Sequence, residues 1–131
     1  NHERPGSYRY FALSMKYTSK VIAGKGRGKG LGFPTLNLAI PQSFALKEGI
    51  YAVNIVLEGR TYKGAMHFGP IPVFNEAARS LEIFALDYQS NEFPKKLSFE
   101  ILKYLRPIKN FESPEALAMQ IAHDVEAVRS L

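Results

Sequence analysis

Residues 49–68 read GIYAVNIVLEGRTYKGAMHF, and this stretch decides the fold class. Tyr51, Val53, Ile55 and Leu57 recur at every second position, the period of a β-strand with one buried face. Glu58-Gly59 breaks the alternation with a turn dipeptide, and residues 61–68 resume it. The stretch therefore predicts a β-hairpin whose first strand covers residues 49–58.

Outward from the hairpin, the same period recurs. Residues 16–23 alternate loosely and end at a glycine run. Residues 81–88 put Leu81, Ile83 and Ala85 on one face and Glu82, Phe84 and Leu86 on the other. Residues 97–105 alternate Leu97, Phe99 and Ile101 with Ser98 and Glu100. Pro70, Pro72 and Asn75 mark a loop, as do Asn91 to Pro94. Ser113-Pro114-Glu115 then announces a helix, with Ser as N-cap, Pro in the first turn and Glu against the helix dipole. Leu117, Ile121, Val125 and Val128 follow at helical spacing. Several short strands followed by one helix, without alternating helices or an internal repeat, predict a mainly β antiparallel barrel closed by a C-terminal α-helix.

Composition narrows the class. A chain of 131 residues is one domain with a real core. Residues 1–15, with Pro5 and Gly6, read as a linker or tail, and residues 16–131 as the domain. The absence of Cys excludes disulfides, thiolate metal sites and cysteine nucleophiles. No apolar run approaches the ~20 residues that span a bilayer, and no signal peptide opens the chain, so a cytoplasmic location is expected. The first residue is Asn1 rather than Met, as in a fragment of a longer protein. His2, His67 and His123 lack metal-ligand spacing, and His67, between Met66 and Phe68, reads as a core or hinge histidine.

Charge is unevenly placed. Eight of the 17 Lys and Arg fall between Arg4 and Lys47, with no Asp or Glu among them. Such a block points to a phosphate-bearing partner, a nucleotide or a nucleic acid. Within it, residues 24–37 read GKGRGKGLGFPTLN. Gly24, Gly26, Gly28, Gly30 and Gly32 leave a backbone able to turn its amides toward an anion. Lys25, Arg27 and Lys29 add charge, and Thr35 and Asn37 supply oxygens suited to a hard cation or a hydroxyl. Amides, cations and neutral oxygens together suggest a polyphosphate with a metal ion; the alternative is a merely solvated loop. The segment is neither a Walker A loop nor a dinucleotide-binding motif.

Glu82 is the most suggestive carboxylate. Apolar neighbours on its face disfavour its charged form, which suits a general base, whereas on a solvated face it would be only decoration. Phe68, Phe74, Phe84, Tyr88 and Phe93 could stack on a planar ring, although aromatic residues on strands are usually core.

The succession GKGRGKGLGFPTLNL, EGIYAVNI, GAMHFGPIPVF, LEIFALDY and LRPIKNFESPEALAMQIAHD resembles the riboflavin kinases of the flavokinase family. The resemblance covers roughly residues 17–131. It implies a six-stranded antiparallel Greek-key barrel with a C-terminal helix, and ATP-dependent, Mg²⁺-assisted phosphorylation of the riboflavin 5′-hydroxyl to FMN. By motif, residues 24–32 would cover the nucleotide phosphates, with Thr35 among the nucleotide-binding groups. Thr35 and Asn37 would sit at the metal and the reacting hydroxyl, Glu82 would be the base, and Arg106 would help cover the flavin. In many bacteria this domain follows an adenylyltransferase domain, which would then lie upstream of Asn1. The chain departs from the family pattern at Ser19, Leu36, Ala65, His67, Val73 and Phe93-Pro94. A divergent non-catalytic flavin-binding domain and a basic RNA-binding barrel are the competing expectations. Glu82, Thr35 and Asn37 would have no use in the RNA-binding barrel.

Overall fold

The computed structural model describes residues 16–22, 35–42, 44–70, 79–88 and 94–131. The glycine–lysine loop of residues 24–32, the tail of residues 1–15, and Val73, Phe74 and Phe93 lie outside the described residues. The described chain forms β1 (Lys16–Ile22), β2 (Thr35–Leu38), β3 (Gly49–Leu57), β4 (Arg60–Gly69), β5 (Ser80–Ala85), β6 (Lys96–Arg106) and α1 (Pro114–Arg129). The strands close into a barrel in the order β1-β2-β5-β4-β3-β6, every neighbouring pair antiparallel. β3, β4 and β5 form a meander and β6 returns to lie beside β3, which is a Greek key.

The hairpin forms as its sequence predicts. Leu57 pairs with Arg60 across a two-residue turn in which Glu58 and Gly59 both have positive φ, 52° and 81°. That backbone matches the right-handed twist of the flanking strands. Tyr51, Val53, Ile55 and Leu57 point into the barrel, where they meet Met66, Phe68, Leu81, Ile83, Leu97 and Phe99. β2 is the strand that alternation alone did not announce. It has only four residues, too few to show a period, and it follows the glycine run directly. Its Leu36 and Leu38 nevertheless fill the interior.

β5 is shorter than the expected 81–88. It ends at Ala85 because Asp87 adopts φ 63°, a turn conformation that a short polar residue tolerates. Asp87 then receives both guanidinium nitrogens of Arg129, in the last turn of α1, at 3.1 and 3.2 Å. Lys63 also bonds the Leu131 carbonyl, so this end of the helix is tied to the barrel twice.

At its other end, α1 begins where expected. The Ala116 amide donates to Ser113 Oγ at 3.1 Å, and Pro114 occupies the first turn. The helix lies on the outside of the barrel, against β4 and β3. Ile121, Val125 and Val128 cover Ala52, Ala65 and Leu86, flanked by Leu117, Phe84 and Leu105. The barrel thus has one core inside and a second under the helix.

Gly64 marks how tightly the wall is packed. A Cβ there would meet Ile83 Cγ2 at 2.9 Å and the Phe84 carbonyl oxygen at 3.0 Å. Gly64→Ala should therefore destabilise the fold by about 1–3 kcal/mol through overpacking, read by urea denaturation. Asp87 gives a pH test of the helix tie. Hydrogen bonding to Arg129, then the charge of Arg129, hold the Asp87 carboxyl below the usual carboxylate range. Its contribution is therefore present above the ordinary value of about 3.9 and lost as pH falls through the lower folded-state value. The small difference in melting temperature between Asp87→Asn and the parent chain should accordingly vanish in strong acid.

Candidate active site

β2, β5 and β4 lie side by side, and their register builds the site. Asn37 stands opposite Glu82, and Glu82 stands opposite His67. Two residues along, Thr35 faces Phe84, which faces Ala65. Leu36, Leu38, Leu81, Ile83, Met66 and Phe68 all belong to the interior core. The strand period therefore turns Thr35, Asn37, Glu82 and His67 to the outer face. Directly opposed side chains in such a ladder have Cβ atoms roughly 4.5–5.5 Å apart. A hydroxyl, an amide, a carboxylate and an imidazole from three strands thus share one patch.

The patch is not a solvated face. Glu82 is 2% exposed and Thr35 6%. The Asn37 amide nitrogen and both His67 ring nitrogens are buried. The Asn37 nitrogen has no hydrogen-bond partner among the described residues. The reading of Glu82 as surface decoration therefore fails. His67, expected as a core or hinge residue, takes an outer position because its neighbours Met66 and Phe68 use the inward one.

Thr35 and Asn37 fit a hard cation. Their side chains offer neutral oxygens two residues apart on one strand face, and Mg²⁺ commonly takes only one or two protein ligands beside substrate phosphates. Among the described residues no group of three or more His, Asp or Glu is placed to hold a metal ion. A cation here would depend on phosphate oxygens for most of its shell.

Arg106 continues the same level of the barrel, since His67 faces Ile50 and Ile50 faces Arg106. Its side chain is already engaged. Nε and Nη2 donate to the two Asp124 carboxylate oxygens at 3.0 and 2.8 Å, and Nη1 donates to the Pro107 carbonyl at 3.0 Å. The pair is largely buried, at 15% and 7% side-chain exposure, and Gln120 adds a 3.2 Å bond to Asp124. Phe111 lies 6.0 Å from the guanidinium. Arg106 clamps α1 to the end of β6. Asp124 is the residue that sequence reading missed; its signal was a carboxylate set between Ile121, Val125 and Val128 on the helix face that packs against the barrel.

Of the aromatic candidates, Phe68 and Tyr88 are interior core and Phe84 lies half-buried at the edge of the helix. The basic residues Lys25, Arg27 and Lys29 lie outside the described residues.

A closed Greek-key barrel with an oxygen-rich, carboxylate-bearing row on its outer wall defines the class. Comparison with known proteins places the chain within it. The family model described as flavokinase, riboflavin kinase, matches residues 12–131, and the chain belongs to that family. It is 30% identical over 122 residues to the bifunctional riboflavin kinase/FMN adenylyltransferase of Listeria monocytogenes, covering 90% of this chain and 39% of that protein. It is 33% identical over 109 residues to the RNA-binding riboflavin kinase RibR of Bacillus subtilis, covering 82% of this chain and 47% of that one. The chain thus spans less than half the length of these curated relatives. The crystal structure of riboflavin kinase from Trypanosoma brucei shares the fold, with a TM-score of 0.56 at 22% identity, over 88% of this chain and 77% of that one.

The clamp is testable. Asp124→Ala leaves the Arg106 guanidinium buried without its counter-charge and should cost about 3–5 kcal/mol in denaturant unfolding. Arg106→Lys should recover little relative to Arg106→Ala, because an ammonium cannot reproduce the two-point fork.

Proposed function

We propose that this chain transfers the γ-phosphoryl group of ATP to the 5′-hydroxyl of riboflavin, giving FMN and ADP. The observation that carries this reading is the register of Asn37 against a buried Glu82 on one outward face. Family membership supplies the substrate class.

In this reading the ribityl hydroxyl sits between Asn37 and Glu82. Glu82 accepts its proton as the oxygen–phosphorus bond forms and the bond from the γ-phosphorus to the bridging oxygen breaks. ADP leaves with that oxygen. Phosphoryl transfer asks chiefly for alignment and charge neutralisation, so one positioned base and a few oriented dipoles suffice. Thr35 and Asn37 would hold Mg²⁺, which would neutralise phosphate charge. The glycine amides of residues 24–32, with Lys25, Arg27 and Lys29, would cover the phosphates. Arg106 would shape the flavin side indirectly, by fixing where α1 leaves the barrel. A reaction that draws on ATP fits a cytoplasmic location, and no helix among the described residues is long and apolar enough to cross a membrane. FMN adenylylation, named for the longer relatives, is not expected of these residues.

Two measurements test the proposal. With riboflavin, ATP and Mg²⁺, the parent chain should form FMN, and Glu82→Gln should lower kcat by about 10²–10⁴-fold. Flavin affinity should stay within a few-fold, because the amide keeps the shape of the side chain. Asp87→Asn, at the exposed helix tie, should turn over normally. Flavin binding without FMN formation by the parent chain would instead mark a non-catalytic domain. Thr35→Ala should weaken nucleotide binding in the presence of Mg²⁺ and leave it unchanged in EDTA, read by calorimetry.

A further inference from the structure

β1 brings a cluster of cations to the edge of the row that holds Asn37 and Glu82. Tyr17 and Val21 pack on the interior core, and Ser19 between them is buried. Lys16, Thr18, Lys20 and Ile22 therefore take the outer face, and all four are exposed. Ile22 stands opposite Asn37, and the Ala39 amide donates to the Lys20 carbonyl at 2.9 Å. Lys20 is thus the diagonal neighbour of Asn37 on the outer wall. Diagonal neighbours in a ladder lie roughly 7–8 Å apart, a gap that a long side chain spans.

On its other side, Lys20 stands directly opposite Lys96 of β6. Lys95 lies beside them, its carbonyl accepting from the Val21 amide at 2.9 Å. Both are exposed. Like charges directly opposed across a ladder repel, and an anion placed between them relieves the repulsion. Among the described residues, no carboxylate forms an ion pair with any of the three: the pairs are Arg79 with Glu48, Arg106 with Asp124 and Arg129 with Asp87.

We propose that Lys20 holds the phosphoryl group that is transferred, first as the terminal phosphate of ATP and then as the phosphate of FMN, with Lys95 and Lys96 adding positive field. This rests on the reading of the Asn37–Glu82 row as the place of transfer.

Other described cations around the row are committed elsewhere. Arg106 is held by Asp124 and Pro107, Arg79 pairs with Glu48, and Lys63 bonds the Leu131 carbonyl. Lys20 also suits the chemistry. Charge in phosphoryl transfer spreads over three equatorial oxygens, so a cation beside them lowers the cost of the transition state. A lysine ammonium is a compact charge with three donors on a flexible stem, able to follow the group as it passes from ADP to the flavin.

The test compares ligands that differ by that one phosphate, using the intact chain in Mg²⁺ buffer. Flavin affinities are read by fluorescence and nucleotide affinities by calorimetry. Lys20→Gln should bind FMN about 5–10-fold more weakly than the parent does and leave riboflavin unchanged. It should likewise weaken ATP more than ADP. Lys20→Arg, which keeps the charge, should hold FMN nearly as the parent does. Lys16→Gln makes the same change of charge on the same strand face, opposite Glu100 and away from Asn37, and should leave all four affinities unchanged. A loss on riboflavin as large as on FMN, or on ADP as large as on ATP, overturns the contact, and so does no loss at all. An equal effect from Lys16→Gln overturns it too, because the loss would then reflect net charge rather than position. These affinities need no turnover. If the parent makes no FMN yet shows the selective losses, the contact stands and the proposed reaction falls. If the parent turns over and Lys20→Gln shows no selective loss, the contact alone falls.

Discussion

The register of β2 against β5 and of β5 against β4 governs the rest of this structure. In a β-ladder a slip of one residue turns every side chain to the other face. Here that slip would send Glu82 into the apolar interior and push Leu81 and Ile83 out, so the hydrophobic effect holds the alignment. The aligned row then follows without further design: Asn37, Glu82 and His67 are neighbours because Leu36, Leu38, Met66, Phe68, Leu81 and Ile83 are buried. The chemistry of the outer wall is positioned by the packing of the inner one. A closed barrel strengthens this arrangement, since each strand is paired on both sides and has no free edge along which to slide.

The helix adds the second constraint. α1 is held at one end by the Arg129–Asp87 pair and nearer its middle by the buried Arg106–Asp124 fork. The two ties differ in kind. The first is exposed and screened by solvent, so it steers more than it stabilises. The second is desolvated, and its strength is chiefly the cost of breaking it, because either charge left alone would be stranded. That asymmetry fixes the helix on Ala52, Ala65 and Leu86, next to the polar row. Arg106, expected by resemblance to help cover the flavin, is held in this fork by Asp124.

Membership in the flavokinase family and the geometry of the row meet at a few side chains. The family reading asks for neutral oxygens near a carboxylate, and the barrel brings Thr35, Asn37 and Glu82 together from strands distant in sequence. Two departures from the family pattern fall on opposite faces of the wall. Leu36 takes an inward position and is absorbed by the core at 1% exposure. His67 takes an outward position in register with Glu82.

Much of the fold was legible in residues 49–68, because a strand's face and a two-residue turn are local properties. The same holds for Ser113 and Pro114 at the start of α1 and for the apolar stripe along it. The sequence by itself also singled out Thr35, Asn37 and Glu82 by chemical type. It did not show β2 as a strand, since four residues carry too little period. Nor did it place His67 beside Glu82 or Asp124 beside Arg106. Those pairs depend on how distant segments align when the barrel closes and the helix docks, and no local pattern encodes that alignment. Alternation within a segment decides which face a side chain takes, and the tertiary structure decides which neighbour it finds there.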